Sequence, residues 1–399
     1  MMTLAPLAGQ TQRHMWLDLA RGLSALAVCA GHLRAAVWVD FSMLTNPSLF
    51  DRMLFAATGV GHQAVMVFFV LSGFFVGGSV WNAGKGFRWG PYAVARVSRL
   101  WVVLLPCLAL TAIVDAIVMA VAPPVLNGAL HEVWHSGPDS SNYDASVYVL
   151  LGNLAFVQTI AVPVFGSNGP LWSLANEFWY YALFPLMITA VRGTGARADY
   201  MVRGWCALLA IGMLALMPWA MRLGYVVWLM GVALFVLTAN ANSRAGTALK
   251  WAAPAFGAAF VVSIAYAKSS AWQAQLGIPA DLLVGTSFAL TCAALVGGTK
   301  GFASLPRRLA GRTARGLSEM SYSLYLSHFP LVVLIGALGY GADRLQPDAK
   351  GVLHLLGWLG VLLSMGATIW RLFKTHTHAV RKAAGARLGF EQSRLGNAP

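Results

Sequence analysis

Runs of about twenty apolar residues recur along nearly the whole chain, and nothing else in the sequence limits the fold as strongly. A helix of about 20 residues crosses a hydrocarbon core of roughly 30 Å. Ten runs fit that length: 15–36, 62–80, 100–122, 171–191, 204–220, 224–240, 250–268, 281–299, 318–341 and 351–371. Charged residues make up only 11% of the 399, against roughly 25% in average soluble domains, so a soluble globule would lack polar surface. The 58% hydrophobic content excludes a disordered chain. Hydrocarbon offers no hydrogen bonds, so spans must satisfy their own backbone groups. The expectation is an all-α polytopic membrane protein, with about ten transmembrane helices enclosing a polar channel. The first run is not read as a cleaved leader. Asp18 and Arg21 lie inside it, and no small-x-small cleavage site follows.

Charge placement orients this scheme. Lys and Arg number 28 against 14 acids, a net charge of +14. Such a balance suits nucleic acid in a soluble protein, but here it reads as the positive-inside bias, with no nucleic-acid partner. With a cytoplasmic N-terminus, most of the basic residues fall in inner loops, among them Lys85, Arg88, Arg96 and Arg99. Asp40, Asp51, Glu132, Asp139 and Asp144 fall outside. Both termini are therefore expected in the cytoplasm, with the chain multi-pass in the inner (cytoplasmic) membrane. Residues 147–165 are nearly long enough to span. Counting them would put the basic 192–203 loop outside, so they are read as a short helix at the outer face. Residues 1–373 then form one membrane unit carrying an external loop and surface helix at 123–165. Residues 374–399 form a basic cytoplasmic tail against anionic headgroups.

Cys29, Cys107, Cys206 and Cys292 each lie in an apolar run, with no zinc or disulfide spacing; they read as core residues. No metal site is expected. His376 and His378 lie in the basic tail, where a mobile segment is the stronger reading.

Ionisable residues inside spans are functional candidates, because a mid-bilayer charge costs about 2.5–3.5 kcal/mol on insertion scales. In the first run Arg21 and His32 are eleven residues apart. That is three helical turns plus about 20°, so both lie on one stripe, about 16 Å apart along the axis. Asp18, one turn before Arg21, is placed to pair with it. A helix-joining ion pair beside an interface histidine explains the spacing equally well. Glu177, six residues into the fourth run, has a depth close to that of His32, where a carboxylate would orient the imidazole. Ser321, Tyr322, Tyr325 and His328 would line a polar channel, or only bond helices together. Arg96 and Arg99, on one face at the inner mouth of the third run, suit phosphate or plain anchoring. Gly73 and Gly77 read as a close-packing pair, with Ser72 beside them.

Five segments in order resemble acyltransferase family 3, the membrane-integral O-acyltransferases of bacterial surface and secreted glycans. LDLARGLSALAVCAGH (17–32) resembles its first helix, with the Arg-x10-His motif at Arg21 and His32. FFVLSGFFVGGS (68–79), RVSRLWVVLLP (96–106), GPLWSLANEFWYYALFPL (169–186) and SYSLYLSHFP (321–330) resemble its later signatures, the fourth placing the family glutamate at Glu177. Trp101, where a tyrosine is common, and Asn176, before the glutamate, depart from the pattern. The resemblance implies transfer of an acyl group, usually acetyl from acetyl-CoA, to a sugar hydroxyl. It gives His32 the central catalytic role, with Glu177 and Arg21 beside it. Arg96, Arg99 and Asp18 would handle the acyl-CoA, and Ser72, Ser321, Tyr322, Tyr325 and His328 would line its channel. Whether His32 acts as general base or carries the acyl group stays open, as do the acceptor and a homodimer. A proton-coupled transporter of a small polar solute is the rival class, because such pumps also bury Asp, Arg, His and Glu.

Overall fold

The computed structural model describes residues 8–139, 143–193, 199–239, 251–297, 307–341 and 343–390. The run ends at 240, 250 and 298–299, the basic residues Arg197, Arg244, Lys250 and Lys300, and the tail beyond 390 lie outside these. Among the described residues the chain is helical, with three isolated bridges and no strand. The principal helices are α1 (Ala8–Val37), α2 (Leu49–Thr58), α3 (Gly61–Ser72), α4 (Gly78–Ala83), α5 (Trp89–Val121), α6 (Pro123–Leu126), α7 (Val147–Leu154) and α8 (Leu171–Arg192). They continue with α9 (Asp199–Leu216), α10 (Trp219–Ala239), α11 (Ala253–Ala267), α12 (Ser270–Leu276), α13 (Ala280–Gly297), α14 (Arg307–Gly339), α15 (Ala349–Leu372) and α16 (Thr377–Arg387).

Six of the helical stretches are long and apolar enough to cross a membrane, or seven if the bent pair α12–α13 is one span. The protein is thus a multi-pass membrane protein. The long helices that miss this test do so for a chemical reason. α1 carries Asp18, Arg21, His32 and Arg34, and α8 carries Glu177 among Ser, Asn and Tyr, so the polar groups that define the site also lower the hydropathy.

α1 and α14 lie side by side and run the same way. Gly22 meets Leu317 and His32 meets His328. Beyond their ends, Trp38 donates from Nε1 to the Gly351 carbonyl at 2.9 Å, and Arg344 donates to the Ala35 carbonyl at 3.0 Å. Those bonds tie the far end of α1 to the start of α15.

α3 and α4 are one rod with a π-helical turn at Gly73–Gly77 between them. At that turn the rod crosses α10 with backbone against backbone. A Cβ at Gly73 would strike the Trp228 carbonyl, and one at Gly231 would strike the Val70 carbonyl. Small residues permit this approach, and dispersion between the two backbones holds it in a medium where tails compete for side chains. The Gly73/Gly77 reading is thereby realised, with Gly231 as its partner across the crossing.

Residues 147–165 contain only the eight-residue α7, about 12 Å long, followed by a folded loop. Ser146 caps α7 through Val149 N. The loop returns beside its own start, where Gly166 N donates to the Asp144 carbonyl at 2.9 Å. It is buried, so its polar groups must be met from inside. Asn153 accepts from Phe165 N at 3.1 Å and donates to the Pro163 carbonyl. Asp115, on α5, accepts from Ser167 N at 2.8 Å and from Ser167 Oγ at 2.6 Å. The acid that the sequence left without a partner is the anchor of this loop. All four cysteines are buried and free.

The α3–α10 crossing yields a test. Gly231→Ala is expected to cost about 1–3 kcal/mol, because a backbone carbonyl cannot yield as a side chain can. The readout is the thermal unfolding midpoint in detergent, and an unchanged midpoint would contradict the contact.

Candidate active site

A cavity of about 790 Å³, including solvent at its mouth, opens between α1, α3, α5, α8 and α14. Its wall brings together Arg21, Ser72, Arg99, Glu177, Ser321, Tyr322 and Tyr325. Seven residues chosen from the sequence therefore share one space, although they come from five helices.

Most of them are held by a neighbour of the right chemistry. The Arg21 guanidinium sits over the Phe75 ring, 4.8 Å from its centroid, an arrangement that favours a cation through the ring quadrupole. Glu177 accepts from Tyr181 Oη at 3.0 Å. Tyr181 and Ser72 are in turn hydrogen-bonded at 3.0 Å, and Trp228 Nε1 donates to Ser72 Oγ at 3.1 Å. With Tyr181 donating to Glu177 and Trp228 to Ser72, Ser72 donates to Tyr181. The hydrogen bonds run in the order Trp228, Ser72, Tyr181, Glu177, and the carboxylate lies on the cavity wall. At the other end Tyr325 and Ser173 share a 2.7 Å hydrogen bond, and Tyr322 Oη donates to the Leu100 carbonyl at 3.1 Å.

His32 and His328 stand beyond this end. Their rings are 5.5 Å apart, His32 packs edge-on against Phe329 at 4.7 Å, and the Tyr325 ring is 5.9 Å from His328. His328 is buried. Its Nδ1 donates to the Tyr325 carbonyl at 2.8 Å and to the Leu324 carbonyl at 3.2 Å. Those bonds put the proton on Nδ1 and leave Nε2 a lone pair, which has no hydrogen-bond partner among the described residues.

Three expected relationships take a different form. Glu177 does not touch His32; its hydrogen bond goes to Tyr181, and the near neighbour of His32 is His328. Asp18 makes no ion pair with Arg21 among the described residues. It accepts from Ser318 Oγ at 2.8 Å, because α14 presents a hydroxyl where α1 and α14 touch. Arg96 is 5% exposed and sits 5.6 Å from the Tyr92 ring, behind the cavity rather than on its wall. The Asp18–Ser318 and His32–His328 contacts cross from α1 to α14 and lie beyond what spacing along one helix can show, whereas Tyr181 and Tyr92 each stand one turn from the residue they serve.

Sequence reading missed Tyr181, Ser173 and Lys374, all of which the structure places on the cavity wall. Tyr181 and Ser173 lie one helical turn either side of Glu177, a periodicity that would have found them. Lys374 follows the last apolar run, where a basic residue carries no signal beyond anchoring.

A multi-pass membrane protein with a buried cavity lined by two arginines, a lysine and a glutamate is a class suited to binding an anionic substrate. The particular family follows from comparison. The family model described as an acyltransferase domain matches residues 14–370, nearly the whole chain. The chain belongs to acyltransferase family 3 and is an acyltransferase. No curated protein and no solved structure matches it.

The Tyr181 hydrogen bonds give a test of the site. Tyr181→Phe removes the donor to Glu177 while keeping the ring, so activity is expected to fall about tenfold for a loss of roughly 1.4 kcal/mol. Steady-state rates measured beside the unfolding midpoint check it. Full activity would show that Glu177 needs no such support.

Proposed function

We propose that this enzyme moves an acyl group, acetyl from acetyl-CoA, across the inner membrane to a hydroxyl of a sugar or glycan. The observation that carries the proposal is the convergence of Arg21, Arg99 and Glu177 on one cavity in a chain of an acyltransferase family. CoA is a polyanion on a thin arm, and guanidinium forks suit its phosphates. A thioester entering past Tyr322 and Tyr325 on the cavity wall would be led toward the His328–His32 pair, whose His328 ring is 5.9 Å from that of Tyr325. Specificity for a sugar acceptor rests on the family resemblance.

Adding α1, α8 and α11 to the seven apolar spans makes ten. Ten spans put both termini on the cytoplasmic side, with the positive-inside bias. The parallel run of α1 and α14 supports this count, since a first and a ninth span cross in the same direction.

In the reaction, His32 takes the proton of the acceptor hydroxyl as its oxygen attacks the thioester carbonyl. The new C–O bond forms, the C–S bond breaks, and CoA leaves as a thiolate that takes up a proton.

His32→Ala is expected to lower kcat at least a hundredfold while the fold is kept. Full transfer by a folded His32→Ala protein would sink the assignment. Arg99→Ala is expected to raise the donor KM roughly tenfold and to leave the acceptor KM unchanged; equal effects on both would count against a donor role. Mass spectrometry of surface glycans, with and without the gene, tests the acceptor class. Solute transport without consumption of acyl-CoA would instead identify a transporter.

A further inference from the structure

The cavity wall carries three cationic side chains, Arg21, Arg99 and Lys374, against one carboxylate, Glu177. Like charges gathered in a poorly solvated space repel and lose hydration, and only a bound anion reverses both costs. Among the described residues neither Arg21 nor Arg99 is hydrogen-bonded to protein. The excess charge therefore points outward from the protein, to a ligand. Lys374 is the member of this trio with no part in the reading above.

Its position is built rather than incidental. α15 ends at Leu372, and the turn Lys374–His376 then folds the chain back under the bundle. There Lys374 Nζ donates to the Glu319 carbonyl on α14 and lies 5.9 Å from the Tyr322 ring centroid. An ammonium has three protons, so two remain for the cavity. The chain beyond it is not a loose tail. α16 packs against α5, and Phe390 lies directly on Gly90, where even a Cβ would overlap its ring. Arg381, on α16, is close enough to act electrostatically on Arg96 of α5.

We propose that Lys374 is a third cationic ligand for a phosphate group of the donor, and that residues 374–390 form the inner wall of the donor site. This deepens the acyl-CoA reading and rests on it. The segment packs against α5, the helix from which Arg99 enters the site. An ammonium on a flexible stem adds a point charge to the two planar guanidinium forks.

The test uses the full-length protein in lipid nanodiscs, with calorimetric binding of coenzyme A and of pantetheine, which carries the arm without phosphates. Lys374→Ala and Lys374→Gln are expected to weaken coenzyme A binding about tenfold and to flatten its salt dependence. Pantetheine binding should not change. Lys374→Arg should keep most of the affinity, and Lys350→Ala, exposed at the start of α15, should match the parent protein. Unchanged coenzyme A binding in both neutral variants, beside a parent that binds, would overturn this proposal alone. Equal losses for coenzyme A and pantetheine would also overturn it, showing a packing role. A parent protein that binds no coenzyme A would overturn the acyl-CoA reading itself, and this proposal with it.

Discussion

Hydrocarbon cannot hydrogen-bond, and the rest of this structure follows from that single fact. Serine and threonine hydroxyls can bond back to their own helix, as Ser364 and Thr368 do, but charged and amide groups on a spanning helix must turn away from lipid toward the protein interior. α1, α3, α5, α8 and α14 carry such groups, and they surround the cavity. The polar residues thus act as assembly instructions and as chemistry at once. Where their needs are met internally, the result is a rigid joint. Where they are not, the result is a site.

Both outcomes are present. Asp115 is fully used, since Ser167 supplies both a backbone and a side-chain donor. That joint lets an irregular buried loop stand against the bundle. Ser72 and Tyr181 are likewise spent on holding Glu177, and the π-helical turn that follows Ser72 fits the rod to α10 at that level. Arg21 and Arg99 face the cavity, and the Nε2 of His328 lacks a hydrogen-bond partner among the described residues. A transferase needs that division, because a site satisfied by its own protein has no reason to bind a substrate.

Much of this was legible in the sequence, and the limits have physical causes. Helical periodicity put Arg21 and His32 on one stripe of α1, and the structure turns Arg21 into the cavity and His32 toward α14. Hydropathy marked the spans but undervalued α1 and α8, whose functional residues dilute their apolar character. Glu177 was recognised as an inward group, yet its partner was assigned to His32 because the two share a depth. Depth is a coordinate along the membrane normal, and contact also requires the right azimuth. That information resides in helix crossings, such as the backbone approach of Gly231 to Val70, and not in spacing.

The sequence alone determined that the chain is helical, crosses the membrane repeatedly, and belongs to the pattern carried by Arg21, His32, Arg96, Arg99, Glu177 and His328. These follow from local physics: the thickness of hydrocarbon, the pitch of a helix and the cost of a buried charge. Only the tertiary structure decided that Glu177 leans on Tyr181, that His32 faces His328, that Arg96 stands behind the cavity, and that Lys374 returns to its wall. Apart from the Tyr181 bond, one turn along α8, those contacts join residues far apart in the chain, and which helix faces meet is settled by the packing of the whole bundle.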